Sequence, residues 1–211
     1  DFLRAVWANT STDVFAVGAG GVARRYNGTT WSDLNTGTNL NLHAVWGSSG
    51  TDVFAIGENG LILHYNGTNW SVQNSTTTSD LYAVWGTGPS DVFVGGAGGT
   101  ILHYNGTSWS AQGTLQVFES VYGLWGFSGT DVYASSTVGV YQYNGVTWDL
   151  MTGSPGVFGS GIWGTSGTNL FVPLSVPNTG HSVYHYDGVD WNQESTPILA
   201  DLLVDLTAVW G

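Results

Sequence analysis

A unit of about 40 residues recurs along the whole sequence, and no other feature restricts the fold as strongly. Six tryptophans stand in runs that resemble Ala-Val-Trp-Gly, at spacings of 39, 39, 40, 38 and 47 residues: Trp7, Trp46, Trp85, Trp125, Trp163 and Trp210. A second series follows each Tyr-Asn-Gly or Tyr-Asp-Gly: Trp31, Trp70, Trp109, Trp148 and Trp191. Repetition at this period is typical of folds that are assembled from one supersecondary unit.

Five complete copies of the unit and the start of a sixth can be delimited. The copies cover residues 3–40, 42–79, 81–119, 121–158 and 161–204, and the sixth begins with LTAVWG at 206–211. Because one unit recurs throughout, the length of 211 residues indicates a single domain, 1–211, rather than two.

Each copy is predicted to form four short antiparallel strands, so the fold class is all-β. In the third copy these strands are 81–85, 92–94, 100–104 and 107–111, separated by turns rich in Gly, Ser and Pro. Asn105-Gly106 predicts a two-residue hairpin, because a type I′ turn needs positive φ at both of its central positions. The same pair, or Asp-Gly in the fifth copy, recurs in every copy.

Several of these strands are apolar on both faces and therefore need cover above and below. Four-stranded sheets packed face to face around an axis provide that cover, each blade covering the next. An open stack would leave two apolar end faces. We therefore expect a closed β-propeller of five four-stranded antiparallel blades rather than a solenoid.

The terminal LTAVWG at 206–211 duplicates LRAVWA at 3–8 and is surplus to five blades. We expect this extra C-terminal strand to take part in ring closure or to be exchanged in a strand-exchanged oligomer, because an uncovered apolar strand is an aggregation edge. The further alternative is that this sequence is a segment of a longer tandem array of repeats.

The charge balance limits the partners of the chain. There is no Lys, and three Arg face 12 Asp and three Glu, which gives a formal net charge of −12. Binding to nucleic acid or to anionic membranes needs Lys and Arg to neutralise phosphate, so neither is expected. No apolar run approaches the roughly 20 residues of a membrane span, so no membrane insertion is expected.

The second copy carries AVWG at 44–47, DVFAIG at 52–57, HYNG at 64–67 and then Trp70. In these motifs the chain resembles a bacterial repeat family of secreted and cell-surface proteins, and the resemblance spans nearly the whole sequence. It implies a β-propeller and an extracellular or cell-surface location. It carries no catalytic motif that could be transferred to this chain.

Residues that recur at one position in every copy are interpreted as parts of the fold. Both Trp series are expected to fill the space between sheets. Asp13, Asp52, Asp91 and Asp131 precede strands and are expected to cap turns through backbone N–H groups. Calcium, which takes oxygen ligands, is the alternative for these carboxylates. No other cofactor, no metal ligand set and no catalytic residue is predicted, and His64, His103 and His185 are interpreted as strand residues.

Positions at which the copies differ are better candidates for a site. The second position of the first strand is occupied by Arg4, His43, Tyr82, Tyr122, Ser160 and Thr207. We interpret Arg4, His43, Tyr82 and Tyr122 as binding residues near the mouth of the channel, together with His181 from an insertion in the fifth copy. Solvent-facing positions without a function are the alternative.

The sequence therefore predicts a non-catalytic extracellular binding module, lectin-like and directed at carbohydrate, with a glycan or a surface protein as partner. This prediction rests on the composition of a small propeller that is rich in Trp, Tyr, Asn and Asp. The first alternative is a structural or protein-interaction segment of a larger surface protein. The second is an enzyme such as a glycosidase or lyase, which would need paired carboxylates in a pocket.

Overall fold

The computed structural model describes residues 2–115, 119–156, 161–176 and 180–194, and this part of the chain forms five four-stranded antiparallel sheets. The first sheet is β1 (Leu3–Thr10), β2 (Asp13–Gly18), β3 (Ala23–Tyr26) and β4 (Trp31–Leu34), and the second is β5 (Leu42–Ser49), β6 (Asp52–Gly57), β7 (Ile62–Tyr65) and β8 (Trp70–Gln73). The third is β9 (Leu81–Gly88), β10 (Asp91–Gly96), β11 (Thr100–Tyr104) and β12 (Trp109–Thr114). The fourth is β13 (Val121–Ser128), β14 (Asp131–Ser136), β15 (Val140–Tyr143) and β16 (Trp148–Leu150), and the fifth is β17 (Trp163–Ser166), β18 (Asn169–Val176), β19 (Gly180–Tyr186) and β20 (Trp191–Glu194).

Each sheet is built from one sequence repeat, with its strands paired in chain order. The first strands β1, β5, β9 and β13 lie against one another, which makes them the inner strands of successive blades. This arrangement confirms the predicted all-β propeller fold with four strands per blade. The surplus strand 206–211 lies outside the described residues, so its part in closure or exchange stays a prediction.

The insertion of the fifth copy lengthens a hairpin. β18 and β19 stay paired from Leu170 and Tyr186 out to Val176 and Gly180. Pro173 stands opposite Val183 within this ladder. The extra residues therefore extend the second and third strands beyond the length that they have in the other sheets.

The hairpin turns differ from the predicted type. Tyr104 pairs with Trp109, so the loop holds four residues rather than two. Gly106 has a φ of 90°, whereas Asn105 is not among the residues with positive φ. The side-chain Oδ1 of Asn105 accepts hydrogen bonds from the backbone N–H groups of Thr107 and Ser108, each at 3.0 Å. The two-residue type I′ prediction was wrong because this side-chain cap stabilises a longer turn.

Consecutive sheets are joined by the first Trp series. A β-carbon added at Gly47 would lie 2.8 Å from the ring of Trp7, and one at Gly86 would lie 2.8 Å from Trp46. In both pairs the next copy has Gly directly after its own Trp. Because this Gly has no side chain, the indole of the preceding copy fits into the space beside it. The Ala-Val-Trp-Gly motif therefore contains both halves of one inter-blade contact.

The second Trp series packs inside its own hairpin and against the preceding sheet. The ring centroids of Tyr104 and Trp109 lie 5.1 Å apart, and Phe54 of the second sheet meets Trp109 edge to face at 5.7 Å. The indole N–H groups of Trp70, Trp109, Trp148 and Trp191 are buried without a hydrogen-bond partner among the described residues. Since four copies share this environment, it belongs to the fold and does not mark a site.

The Trp–Gly contact predicts a strong difference between two glycines of β9. Gly86→Ala places a methyl group against the ring of Trp46 and the carbonyl oxygen of Asp91. Overpacking of this kind costs about 1–3 kcal/mol. Gly88→Ala, on the same strand, meets nothing within 4 Å and serves as the control, with an expected change within about 0.5 kcal/mol. Urea denaturation measures both, and equal effects would contradict the role of the contact.

Candidate binding site on the inner strands

Three aromatic side chains stack in a row across neighbouring blades. His43, Tyr82 and Tyr122 are the second residues of β5, β9 and β13. The ring centroids of His43 and Tyr82 lie 5.4 Å apart with 26° between the ring planes, and those of Tyr82 and Tyr122 lie 5.4 Å apart with 25°. The structure thus brings together three of the predicted site residues, which we call the inner row.

One hydrogen bond between blades fixes the first ring of the inner row. Nδ1 of His43 lies 2.9 Å from the backbone carbonyl oxygen of Leu81, the residue that precedes Tyr82. A carbonyl oxygen only accepts, so this contact assigns the proton to Nδ1 and leaves Nε2 as an acceptor in the neutral ring. The bond ties the imidazole to the same strand that carries the central tyrosine.

The two tyrosines keep their hydroxyl groups available. Both residues are half-buried, and no hydrogen bond of Tyr82 Oη or Tyr122 Oη is found within the described ranges. Burial raises the pKa of Tyr82, and the charges of Asp80 and Tyr122 act in the same direction. Tyr82 therefore stays a neutral phenol at physiological pH, able both to donate and to accept a hydrogen bond.

Two carboxylates beside the inner row are bound by the backbone. Glu58 accepts hydrogen bonds from the backbone N–H of Asn41 at 3.0 Å and from its side chain at 2.5 Å. These bonds lower the pKa of Glu58, and the charge of Arg4 adds a smaller contribution in the same direction. Asp80 accepts a hydrogen bond from the backbone N–H of Asn59 at 2.8 Å. Both carboxylates thus hold loops in place.

The other predicted site residues fall outside the inner row. Arg4 is the equivalent residue of β1 and is exposed. His181 lies on β19, the third strand of the fifth sheet, opposite Ser175, so it is on a different strand of its blade from the other four. The equivalent positions Ser160 and Thr207 lie outside the described residues.

In the first three sheets the repeated Asp is hydrogen-bonded to side chains of both the first and the third strand. Oδ1 of Asp52 lies 2.6 Å from Nε2 of His64 on the third strand, and Oδ2 accepts a short hydrogen bond from the hydroxyl of Ser48 on the first. The turn before the aspartate is capped by Ser49 Oγ, which accepts from the N–H of Thr51 at 3.3 Å. The prediction that these carboxylates cap turns was wrong: a turn hydroxyl does so in the first, second and fourth sheets, and the third has Gly88 at that position.

We call the hydrogen bond between the repeated aspartate and the third strand the polar bridge. It is kept where the residue on the third strand is substituted. Arg25 Nε donates to Asp13 Oδ1 at 2.7 Å in the first sheet, and Gln142 Nε2 donates to Asp131 Oδ1 at 3.2 Å in the fourth. The histidines at this position are thus partners of Asp or Asn. Within the described ranges, no three His, Asp or Glu side chains converge as a metal site requires, so the calcium alternative gains no ligand set there.

A groove between the third and fourth sheets is absent from the sequence prediction. It has a volume of about 510 Å³, and its lining includes Gln112, Leu115, Tyr141, Val146, Trp148 and Leu150. Behind it Glu119, only 2% exposed, accepts hydrogen bonds from Tyr141 Oη at 3.0 Å and Ser136 Oγ at 3.2 Å. Burial and Glu119 raise the pKa of Tyr141 to about 12. The sequence signal for this groove was Glu119, which stands where the first two copies have Leu40 and Ser79.

The sequence matches no protein-family profile and no curated protein. The structure of YCF48 from Cyanidioschyzon merolae matches with a TM-score of 0.66 at 14% identity, over 90% of this chain and 71% of that one. The computationally designed Ika8 protein matches with a TM-score of 0.66 at 18% identity, over 90% and 60%. The extracellular domain of BT4673 from B. thetaiotaomicron matches with 0.61 at 13%, over 82% and 26%.

These β-propellers confirm the fold, and at such identities they show nothing more. The chain spans 60% of Ika8 and 26% of the BT4673 domain, so it corresponds to part of a larger structure in each case. None of the helical segments within the described ranges has the length and apolar character that a membrane crossing requires.

The polar bridge predicts a pH-dependent contribution to stability. The hydrogen bond from Arg25 lowers the pKa of Asp13, so this carboxylate stabilises the fold above its ordinary pKa near 3.9. The contribution is lost as the pH falls through the lower folded pKa. Asp13→Asn should cost about 1.5 kcal/mol at pH 7, the lower end for a hydrogen bond to a charged group. The cost should shrink towards pH 2.5.

Asp33→Asn provides the matched control for this experiment. Asp33 accepts from Arg24 Nε at 2.8 Å, but its side chain is 80% exposed, against 18% for Asp13. An exposed pair contributes about 0–1 kcal/mol. Urea unfolding of both variants at pH 7 and pH 2.5 makes the comparison. A larger loss for Asp33→Asn, or a loss for Asp13→Asn that grows in acid, would refute the assignment.

Proposed function

We propose that this chain is a non-catalytic extracellular binding module, and that its ligand is a carbohydrate held at the inner row. The fold neighbours support the broader description of a propeller binding or interaction module. The resemblance of the repeats to those of bacterial secreted and surface proteins supports the location. The inner row, with its ordered rings and available polar edges, carries the choice of site.

The geometry of the inner row favours a neutral ligand rich in hydroxyl groups. Each ring of the stacked set has at least one face covered by a neighbour, so the ring edges and polar atoms are the parts offered to a ligand. Tyr82 Oη, Tyr122 Oη and the Nε2 of His43 can each exchange hydrogen bonds with sugar hydroxyls. The same atoms are held by packing before a ligand arrives, which lowers the ordering cost of binding.

The charges around the inner row argue against an anionic ligand. Glu58 and Asp80 lie beside it, and Arg4 is the one Arg at the equivalent inner-strand position in the five copies. A phosphate or sulfate group would meet repulsion from the carboxylates with little compensation. Because both carboxylates accept hydrogen bonds from loop backbone, they act as supports for the fold rather than as a catalytic pair.

A protein-interaction function is the second candidate. One fold neighbour, YCF48, has been solved bound to D1 peptide, at 15% identity to this chain and over 65% of its own length. A rigid row of aromatic edges also suits an extended peptide that donates and accepts hydrogen bonds. In this alternative the chain is an interaction or spacer segment of a larger surface protein.

Binding measurements on matched tyrosine variants test the proposal. A glycan array with the wild-type chain identifies a ligand, and calorimetry then compares Tyr82→Ala, which removes the central ring, with Tyr122→Phe, which removes one hydroxyl. We expect at least a tenfold weaker affinity for Tyr82→Ala and up to about tenfold for Tyr122→Phe, since a hydrogen bond contributes about 0.5–1.5 kcal/mol. Tyr104→Phe, on the third strand of the same sheet as Tyr82, should bind like the wild type.

Different outcomes separate the candidates. Failure of every glycan to bind, with or without calcium, would contradict the carbohydrate proposal. Binding of peptides from a display library, lost in Tyr82→Ala, would favour the interaction function at the same site. Glycan binding that survives Tyr82→Ala but is lost in Gln112→Ala would move the site to the groove between the third and fourth sheets.

A further inference from the structure

Glu119 is a buried acidic side chain whose polar neighbours are neutral. It is 2% exposed, and its two oxygens lie near hydroxyl groups, Tyr141 Oη at 3.0 Å and Ser136 Oγ at 3.2 Å. The single proton of Ser136 also has a second acceptor, the carbonyl oxygen of Gly139 at 2.9 Å. Acidic side chains are rarely buried to this extent unless a positive charge accompanies them.

No cationic side chain lies beside Glu119 in the part of the chain that the structure describes. The sequence has no Lys, and its three Arg all lie in the first sheet, on β1 and β3, whereas Glu119 lies at the border of the third and fourth sheets. His103 of the third sheet is already in contact with Asp91, at 2.7 Å. A positive charge at this place would therefore be brought by a bound group.

The pair of Glu119 and Tyr141 distinguishes this border from the preceding ones. Tyr141 stands where the second and third sheets have the buried leucines Leu63 and Leu102, and the residues equivalent to Glu119 in the first two copies are not acidic. A buried polar pair in place of a leucine costs stability, and such departures from good packing are expected at functional sites. The substitutions therefore point to a task beyond the building of the blade.

The groove beside this pair offers aromatic rings to a ligand. Tyr141 lines the groove and also contacts Glu119, and Trp148 lines it as well. Trp148 is partly exposed, whereas the equivalent Trp109 of the third sheet is 4% exposed. Cations are attracted to aromatic rings, most strongly to Trp, and quaternary ammonium groups are recognised in this way. A cation in the groove would meet two aromatic side chains, with the carboxylate of Glu119 behind one of them.

We propose that the groove between the third and fourth sheets binds an organic ammonium group, for which Glu119 supplies the counter-charge. This site is separate from the inner row, whose proposed ligand is neutral. The groove volume of about 510 Å³ lies within the usual range for ligand sites and exceeds the size of one ammonium group. Both a free amine and the side chain of a peptide lysine carry this chemistry, and matched probes separate the two sources.

Calorimetry with choline and with its uncharged carbon analogue, in which a carbon atom replaces the quaternary nitrogen, tests the need for charge. We expect the wild-type chain to bind choline about tenfold more tightly than the analogue. Glu119→Gln keeps an acceptor oxygen but removes the charge, so it should weaken choline binding about tenfold. Asp190→Asn removes the same charge from an exposed position in the fifth sheet and should change the affinity less than about twofold, because solvent and salt screen it.

Urea unfolding without ligand gives a second readout for Glu119→Gln. An uncompensated buried charge destabilises the empty protein, so its removal should raise the urea midpoint or leave it unchanged. A glutamate that only supports the fold would instead lower the midpoint when it is replaced. A clear loss of stability in the absence of ligand would therefore contradict the proposed role of Glu119.

A short peptide with one lysine, compared with the same peptide acetylated on that lysine, identifies the source of the ammonium group. Binding of the lysine peptide alone supports a protein partner, and binding of choline without the peptide supports a free amine. Equal affinities for choline and its carbon analogue, equal choline affinities of the wild type and Glu119→Gln, or no binding of either choline or the lysine peptide would each overturn the proposal. The comparison of probes uses the wild type, so it decides the matter even if Glu119→Gln does not fold.

Discussion

The contact between a tryptophan and the glycine of the next copy determines the spacing of the blades. The indole of Trp46 lies where a side chain on Gly86 would stand, and Trp85 lies in the same way against Gly126, 2.6 Å from the position that a β-carbon would take there. A large ring and an absent side chain are thus complementary across every pair of neighbouring sheets from the first to the fourth. Packing at interior density leaves no tolerance for an added methyl group at this point.

The second layer of organisation is polar and lies within each sheet. The repeated aspartate is hydrogen-bonded to the third strand, and its partner there changes from His64 to Arg25 or Gln142 without loss of that bond. In two sheets the carboxylate also lies in contact with the next blade. In the first of them, a β-carbon added at Gly50 would overlap Oδ2 of Asp13. Apolar packing therefore sets the distance between blades, and the polar bridge fixes the strands within each blade.

The fold could be predicted from the sequence because its signals are local and are repeated five times. The number of sheets follows from the spacing of the repeats, the four strands of each from apolar runs between turn residues, and the structural use of both Trp series from their fixed position in every copy. Of the predicted site residues, His43, Tyr82 and Tyr122 lie together in the structure, and their role in binding stays a prediction. Their stacking geometry could not be read, because the rings belong to copies about 39 residues apart and meet only through the curvature of the sheets.

The errors have two physical origins: partners that lie on other strands or in other copies, and, for the hairpin turn, a local side-chain cap. Asp52 was assigned to its own turn, but its side chain is hydrogen-bonded to His64 on another strand. Asn105-Gly106 matched a short hairpin, but the amide side chain closes a longer loop. The groove beside Trp148 depends on two outer strands of different copies, and no single repeat contains enough of it to be recognised.

The placement of tryptophan and glycine side by side in one motif has a consequence for how such a chain changes in length. A duplicated copy brings a ring for its successor and a vacancy for its predecessor, so both of its new neighbours are matched from the start. Whole copies can therefore be gained or lost while each tryptophan still meets a glycine of the next copy. A break between the tryptophan and the glycine of one motif would separate the two halves of this contact. The number of blades is free to vary over evolution, while the phase of the repeat is not.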